Sequence, residues 1–349
     1  MPNKKKTILT GMRPTGILHI GHYFGVIPEV LKVQEIADTL LVMIADVHAL
    51  TTLEDSSNLK ENSLILASTY LASGIDPEKS IIFLQSQIPE HAELSTLLSM
   101  VSPVSMLELN PVYKEKKEEH PKNNNLGLLA YPVMQAADIL VYKASLVPIG
   151  KDQLPHLELA REIARKFNSR FGEIFQEPKA ILQKESKMLS LQNPEKKMSK
   201  SHEEKSRIGL LDSPETIREK IKSAVTDSGS EIKYDAQNKP AVSNLLTIYS
   251  LFSCLAGPLR RSVSEASRQA GKSIAELEKE YEGKNYSVFK NDLAEIIIKS
   301  LSPIQKKYKE LSANPDYLKK VLRDGAEKAK TIASQTMREV RSKIGFLEI

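Results

Sequence analysis

The chain has 349 residues, 41% hydrophobic and 27% charged, with a formal net charge of +5; this is the profile of a globular protein with room for two compact units. Membrane insertion and secretion are not expected. No run approaches the roughly 18 apolar residues that a spanning helix needs, and Lys4-Lys5-Lys6 is followed by Thr7-Ile8-Leu9-Thr10-Gly11, too short for a signal core.

A cytoplasmic location is therefore expected. The positive charge is compatible with a polyanionic partner. The single cysteine, Cys254, stands in Leu251-Phe252-Ser253-Cys254-Leu255. It cannot form an internal disulfide or a thiolate metal cluster, and it is expected to be a small buried apolar group.

Ile8-Leu9-Thr10 is predicted to be a short buried strand that runs into the turn Gly11-Met12-Arg13-Pro14-Thr15-Gly16. Residues 21–34 follow a helical pattern that Pro28 is expected to break or kink. The apolar run 40–46 has the length and β-branched content of a buried parallel strand. A helix is predicted over 57–73, stopped by Gly74, and then a core strand at Ile81-Ile82-Phe83-Leu84.

This β-α-β-α-β order predicts a doubly wound α/β unit with a parallel sheet. The charged, Asn-rich stretch 113–125 is predicted to be an exposed loop. Helical periodicity returns at 128–142 and 154–167, and beyond about residue 210 helices dominate. The first of these opens with Ser213 as cap and Pro214 in its first turn. The layout expected is an α/β catalytic unit over 1–209 and a mostly helical one over 210–349.

His19-Ile20-Gly21-His22 falls where the first turn opens into a helix, at the sheet edge where nucleotides bind. Helix N-terminal amides favour phosphate, a glycine lets a purine approach the backbone, and imidazoles donate to phosphate oxygens. Such donors act best on the crowded transition state at the α-phosphate. Alone, two histidines three apart serve equally as a cap or a surface feature. There is no GxxxxGK[ST] phosphate loop, so any ATP is held another way. Lys197-Met198-Ser199-Lys200-Ser201 follows Asn193-Pro194-Glu195 and lies on a loop, where lysines can swing onto a polyphosphate. A solvated basic loop is the plainer reading of that string alone; the two strings together, flanking an α/β core, point to adenylate chemistry.

The two strings resemble the HIGH and KMSKS elements of the class I aminoacyl-tRNA synthetases, and the chain resembles their tryptophanyl/tyrosyl subgroup nearly end to end. Within that subgroup it is similar to the bacterial tryptophanyl enzymes. The resemblance implies a Rossmann-like catalytic domain over 1–209, with an inserted dimerisation and acceptor-arm region around 103–145. It also implies an anticodon-recognising helical domain over 210–349, whose last helices pack back on the catalytic part, and a homodimer. The implied reaction has two steps, formation of an aminoacyl-adenylate from ATP with Mg²⁺ and transfer to the tRNA 3′ end.

Carried over residue by residue, His19, His22, Lys197 and Lys200 are the catalytic set. The ATP site comprises Arg13, Pro14, Thr15, Gly21, His22, Gly150, Lys151, Asp152, Met188, Lys197, Met198, Ser199, Lys200 and Ser201. The amino-acid pocket comprises Leu9, His48, Tyr131, Gln135, Asp138 and Gln153. The family often has Glu where Lys151 stands.

Tyr131, Gln135 and Asp138 share one helix face by their spacing. A carboxylate among Gln-Ala-Ala-Asp-Ile-Leu-Val needs a donor, since an unpaired one there costs several kcal/mol. That donor is either internal or an N–H of the ligand, and the ligand is the sharper expectation. In the resembled subgroup this aspartate contacts the indole N–H of tryptophan or the tyrosine hydroxyl. Tyr131 and Gln135 fit the tyrosyl pattern. Leu9 and Arg13, standing where tyrosyl enzymes usually carry a Tyr and an acidic residue, fit the tryptophanyl one.

The expected substrates are L-tryptophan, ATP and tRNA(Trp). The alternatives are a tyrosyl enzyme, a small-molecule adenylate-forming ligase or nucleotidyltransferase, and an inactive paralogue acting as an RNA-binding regulator. The basic residues Arg218, Lys220, Lys222, Arg260, Arg261, Lys319, Lys320 and Arg323 read mostly as solvated helix faces.

Overall fold

The computed structural model describes residues 5–51, 53, 55–119, 124–182, 188–199, 203–255 and 271–347. Strand β1 (Thr7–Met12) leads through a turn into α1 (Ile20–Gln34), followed by β2 (Thr39–Ile44), the short α2 (Asp46–Ala49), α3 (Leu59–Ala72) and β3 (Ser80–Leu84). Four helices come next: α4 (Glu90–Ser99), α5 (Val104–Glu108), α6 (Pro111–Glu119) and α7 (Leu126–Leu140). Strand β4 (Leu146–Ile149), α8 (Leu154–Phe171) and β5 (Lys179–Leu182) complete the sheet. Beyond it lie α9 (Pro214–Ser223), α10 (Pro240–Leu255), α11 (Ile274–Glu280), α12 (Tyr286–Ser312) and α13 (Pro315–Ile344).

The five strands are parallel in the order β3-β2-β1-β4-β5. Both faces are buried, which is why β2 and β3 are continuous apolar runs rather than alternating ones. Ile8, Leu40, Val42, Ile44 and Ile82 face one core, shared with α1, α3, α10 and α12. Leu9, Leu41, Met43, Phe83 and Val147 face the other, shared with α4, α7 and α8. The doubly wound α/β architecture followed by helices is thus as expected from the sequence.

Helix α13 belongs to both layers. Leu318 and Leu322 enter the first core, whereas Ala329, Ala333, Met337 and Val340 enter the second. It crosses the edge strand β3 at Gly325, where a Cβ would collide with the Ile82 carbonyl oxygen. A backbone edge that would otherwise be open to pairing is thereby covered.

Three expectations are corrected. Part of the stretch read as a loop, 113–119, belongs to α6. Its charged composition hides an anchor, Tyr113, which is buried against Leu128 and Tyr131. Helix α1 is not broken at Pro28, because Ile27, Pro28 and Val30 are all buried in the core and packing overrides the lost backbone bond. Cys254 is half-buried, its thiol donating to the Ser250 carbonyl at 3.3 Å. Strands β4 and β5 are additions that the sequence reading lacked. No helix among the described residues is long and apolar enough to cross a membrane.

Candidate active site

Strands β1 and β4 are neighbours that lead to opposite halves of the sheet, so the crevice beyond their carboxyl ends is a topological switch point. The turn carrying Arg13, Pro14 and Thr15 leaves β1 on one side of this crevice. On the other side, Gly150 follows β4 and Lys151–Gln153 form a single 3-10 turn. Asp152 accepts from the Gln153 side-chain amide at 2.9 Å, and Lys151 and Asp152 are exposed.

His19 is the N-cap of α1. Its backbone is extended, and its Nδ1 accepts from the Gly21 amide at 3.1 Å. With Nδ1 accepting, the neutral ring carries its proton on Nε2, the arrangement of a hydrogen-bond donor. The His22 ring lies 3.8 Å from it, centroid to centroid. A side chain at Gly21 would strike the His19 imidazole, with a Cβ only 2.9 Å from Cε1. The first turn of α1 holds no acidic residue, which leaves its amides and dipole favourable to an anion.

The second motif is joined to the first through backbone. Leu189 and Lys197 form an antiparallel bridge, and the Met198 amide donates to the Met188 carbonyl at 2.9 Å. Asn244 on α10 clamps this hairpin, accepting from the Leu189 amide and donating to its carbonyl. Met188 and Met198 are buried while Lys197 is exposed, so the methionines anchor the loop and the lysine stands in solvent. Met188 Cβ sits 3.9 Å from the Cβ position at Gly21.

Downstream, Leu191 N–H donates to Ser206 O, Ile20 N–H to Ile208 O, and Leu210 N–H to Leu18 O. His19 itself pairs with Gly209. The loop that carries the lysines is therefore held at both ends against the start of α1. Lys200 and Ser201 lie outside the described residues, as do Arg260 and Arg261; Ser199 is half-buried.

On the α7 side, Asp138 is almost completely enclosed and has three internal donors. His48 Nε2 lies 2.7 Å from Oδ2, His91 Nδ1 2.5 Å from Oδ1, and the Gln85 side-chain amide 2.9 and 3.1 Å from the two oxygens. The Gln85 carbonyl in turn accepts from the His48 backbone amide, and His91 Nε2 meets the Tyr142 hydroxyl at 2.8 Å. Tyr142, the two imidazoles and the Gln85 amide thus form one buried hydrogen-bonded cluster around the Asp138 carboxylate.

Burial acts to raise the Asp138 carboxyl, but the two histidines more than offset it and hold it down to about 2. Burial together with the charges of Asp138 and Glu90 pushes the Tyr142 phenol well up. The expectation that the Asp138 donor comes from a ligand is corrected: the donors are internal, because α2, the turn after β3 and α4 converge on it.

The family model for class I tRNA synthetases (W and Y) matches residues 1–302. The tryptophan–tRNA ligase of Oceanobacillus iheyensis is 43% identical over 343 residues, spanning 98% of this chain and 99% of that protein. The solved tryptophanyl-tRNA synthetase from Campylobacter jejuni, complexed with ADP and tryptophan, superposes with a TM-score of 0.80 at 38% identity, covering 97% of this chain and all of that one. The enzyme from Mycoplasma pneumoniae gives 0.83 at 32% identity, with 98% of each chain covered.

The chain belongs to the class I tRNA synthetases of the W and Y group.

Within this synthetase, Tyr131, Gln135 and Asp138 lie along α7, and Tyr131 and Asp138 are buried. The Tyr131 hydroxyl is 3.1 Å from His156 Nε2. Burial raises its phenol, an effect that the nearby Arg13 guanidinium opposes; this places the β1 turn beside α7. Leu9 is buried in the core on the α7 side.

Sequence reasoning missed Gln85, His91 and Tyr142. Gln85 had a signal, since it is the first residue beyond the carboxyl end of β3. His91 and Tyr142 had none, because nothing in their local strings distinguishes them from core residues. Lys220, read as a solvated lysine, is instead buried and paired with Asp212 at 2.8 Å.

Proposed function

We propose that the chain activates L-tryptophan with ATP and transfers it to tRNA(Trp). In the first step a tryptophan carboxylate oxygen attacks the α-phosphorus of Mg²⁺-bound ATP. The bond to the bridging oxygen breaks, and pyrophosphate leaves as tryptophanyl-adenylate forms. In the second step the tRNA 3′-terminal hydroxyl takes the aminoacyl group and AMP leaves.

The observation that carries this reading is the backbone splice that sets the start of α1 and the Lys197 hairpin on one edge of the sheet. His19, as a donor from Nε2, and His22 suit charge developing at the α-phosphate. Lys197 and Lys200 suit the departing pyrophosphate, with Met198, Ser199 and Ser201 completing the same motif. Arg13, Pro14, Thr15, Gly150, Lys151 and Asp152 flank the switch point, where the nucleotide base and ribose belong. Mg²⁺ enters as part of the substrate; among the described residues no group of three or more His, Cys, Asp or Glu is placed to hold a metal.

Leu9, His48, Tyr131, Gln135, Asp138 and Gln153 form the amino-acid pocket in this reading. The apolar Leu9 suits an indole rather than a phenol hydroxyl, and the names of the relatives support tryptophan.

The assembly proposed is a cytoplasmic homodimer, with a catalytic unit over 1–209 and an anticodon-reading helical unit over 210–349. Supporting the dimer, Met100, Val104, Leu109 and Leu126 lie 58–78% exposed around α5 to α7, an apolar surface suited to a second copy.

The test is amino-acid-dependent exchange of labelled pyrophosphate into ATP, run separately with all twenty amino acids. Tryptophan alone is expected to support it. Exchange with tyrosine alone would sink the substrate assignment, and no exchange at all would sink the enzyme.

A further inference from the structure

Helix α12 does more than fill the helical half. It runs against the segment that connects the second motif to α9, making polar contacts along its length. Lys290 Nζ donates to the Lys222 and Ala224 carbonyls at 3.2 and 2.6 Å, at the far end of α9. Glu295 accepts from Arg218 Nε at 2.7 Å. Four turns further along α12 from Lys290, the Gln305 side-chain amide donates to two carbonyls at once, Leu210 O at 2.9 Å and Asp212 O at 3.0 Å.

Those two carbonyls belong to the turn that holds the first motif. The Leu210 amide donates to Leu18 O at 2.8 Å, and Ile208 O accepts from the Ile20 amide at 2.9 Å, so His19 is bracketed on both sides. The turn is braced from beneath by Asp212, whose Oδ2 accepts from the Gly209 amide and from the buried Lys220 ammonium, both at 2.8 Å. A route of four residues therefore joins α12 to the N-cap of α1: Gln305, Leu210, Leu18, His19. The Asp138 cluster and Leu9 lie on the opposite side of the sheet, outside this route.

We infer that Gln305 is a positioning residue for adenylate formation: it holds the Leu210–Asp212 turn in the register that presents His19 and His22 to the nucleotide. The inference rests on the functional reading above. Donors to a transition state must be placed to within a fraction of an ångström, and a displacement of about 1 Å costs on the order of a hundredfold in rate. A half-buried glutamine that fixes such a turn therefore acts on rate more than on folding.

Three variants test it in the full chain. Gln305→Met keeps the side-chain length and removes both donors. Gln305→Glu removes them and turns a carboxylate toward the two carbonyls. Gln305→Lys keeps a donating head on a flexible stem one atom longer, which can fold back to both carbonyls. Exchange is measured at saturating tryptophan and ATP. Tryptophan binding is read from the ligand's own fluorescence, since the chain contains no Trp.

The expected result is a loss in kcat of about tenfold for Gln305→Met and more for Gln305→Glu. Tryptophan affinity should stay within about twofold, and Gln305→Lys should recover most of the rate. A kcat for Gln305→Met within about twofold of the parent chain overturns the inference while leaving the synthetase reading intact. So does a parallel loss of tryptophan affinity, which is what a merely structural role would give. A parent chain without exchange removes both. Should Gln305→Met fail to fold, the comparison of Glu with Lys decides, and equal rates overturn the inference.

Discussion

At the scale of single residues, the chemistry of the amino-acid side is concentrated in one carboxylate. An ionised group as enclosed as Asp138 is tolerated only when its lone pairs are met, and His48, His91 and Gln85 meet them. Its carboxyl is held down to about 2 against an ordinary 3.8. The folded chain therefore gives up this proton more readily than the unfolded one does. The resulting stabilisation, on the order of 2 kcal/mol, is complete above the ordinary carboxylate range and fades as pH falls through about 2. Unfolding free energies from urea titrations of the parent chain and Asp138→Asn should thus differ most near neutral pH and converge by about that amount on acidification. A gap that does not narrow would show that the histidines do not hold the carboxylate ionised. The need for a donor at Asp138 was legible in the sequence, from a charge set in an apolar helix. The donors were not: they come from positions 47, 53 and 90 residues away, and only the doubly wound topology brings those elements together.

At the scale of elements, the strands that could be read were those buried on both faces, where the apolar run alone names the structure. Strand β4 is four residues long and includes Pro148, and β5 is a short edge strand with Lys179 and Leu182 exposed. Both exist because a neighbour pairs with them, which no local pattern encodes. Helix α6 escaped for the opposite reason: its composition is that of a solvated loop, and the buried Tyr113 that holds it down carries no local signal. Gly325 is a further case. A glycine in the middle of a 30-residue helix costs roughly 1 kcal/mol relative to alanine, and its reason appears only in the packing of α13 across β3. Gly325→Ala would ordinarily stabilise a helix. Here the added methyl meets the Ile82 carbonyl oxygen, so a net destabilisation of about 1–3 kcal/mol is expected from urea unfolding. A gain in stability would mean that α13 does not lie directly on the strand edge.

At the scale of the whole molecule, the sequence suggested a division near residue 210, where buried-strand runs stop. The packing does not respect that line. One apolar cluster contains Ile8 and Val42 of the sheet together with Leu245, Phe252, Phe289, Ile297 and Leu322 of the later helices. The backbone on either side of the line, at Ile208 and Leu210, pairs with the start of α1, and the edge of β3 is closed by α13. Chains of this size with separable domains commonly unfold in more than one step. A shared core works against this, because each half buries part of its apolar surface on the other. Urea unfolding followed by far-UV circular dichroism, which is dominated by the helices, should therefore coincide with unfolding followed by tyrosine emission. Pyrophosphate exchange should fall no later than either signal. Two resolved steps, with exchange surviving the first, would mean that the helical half is a separate unit docked on the sheet. The contacts from Gln305 to Leu210 and Asp212 would then be surface docking, and α12 would have no hold on the histidines.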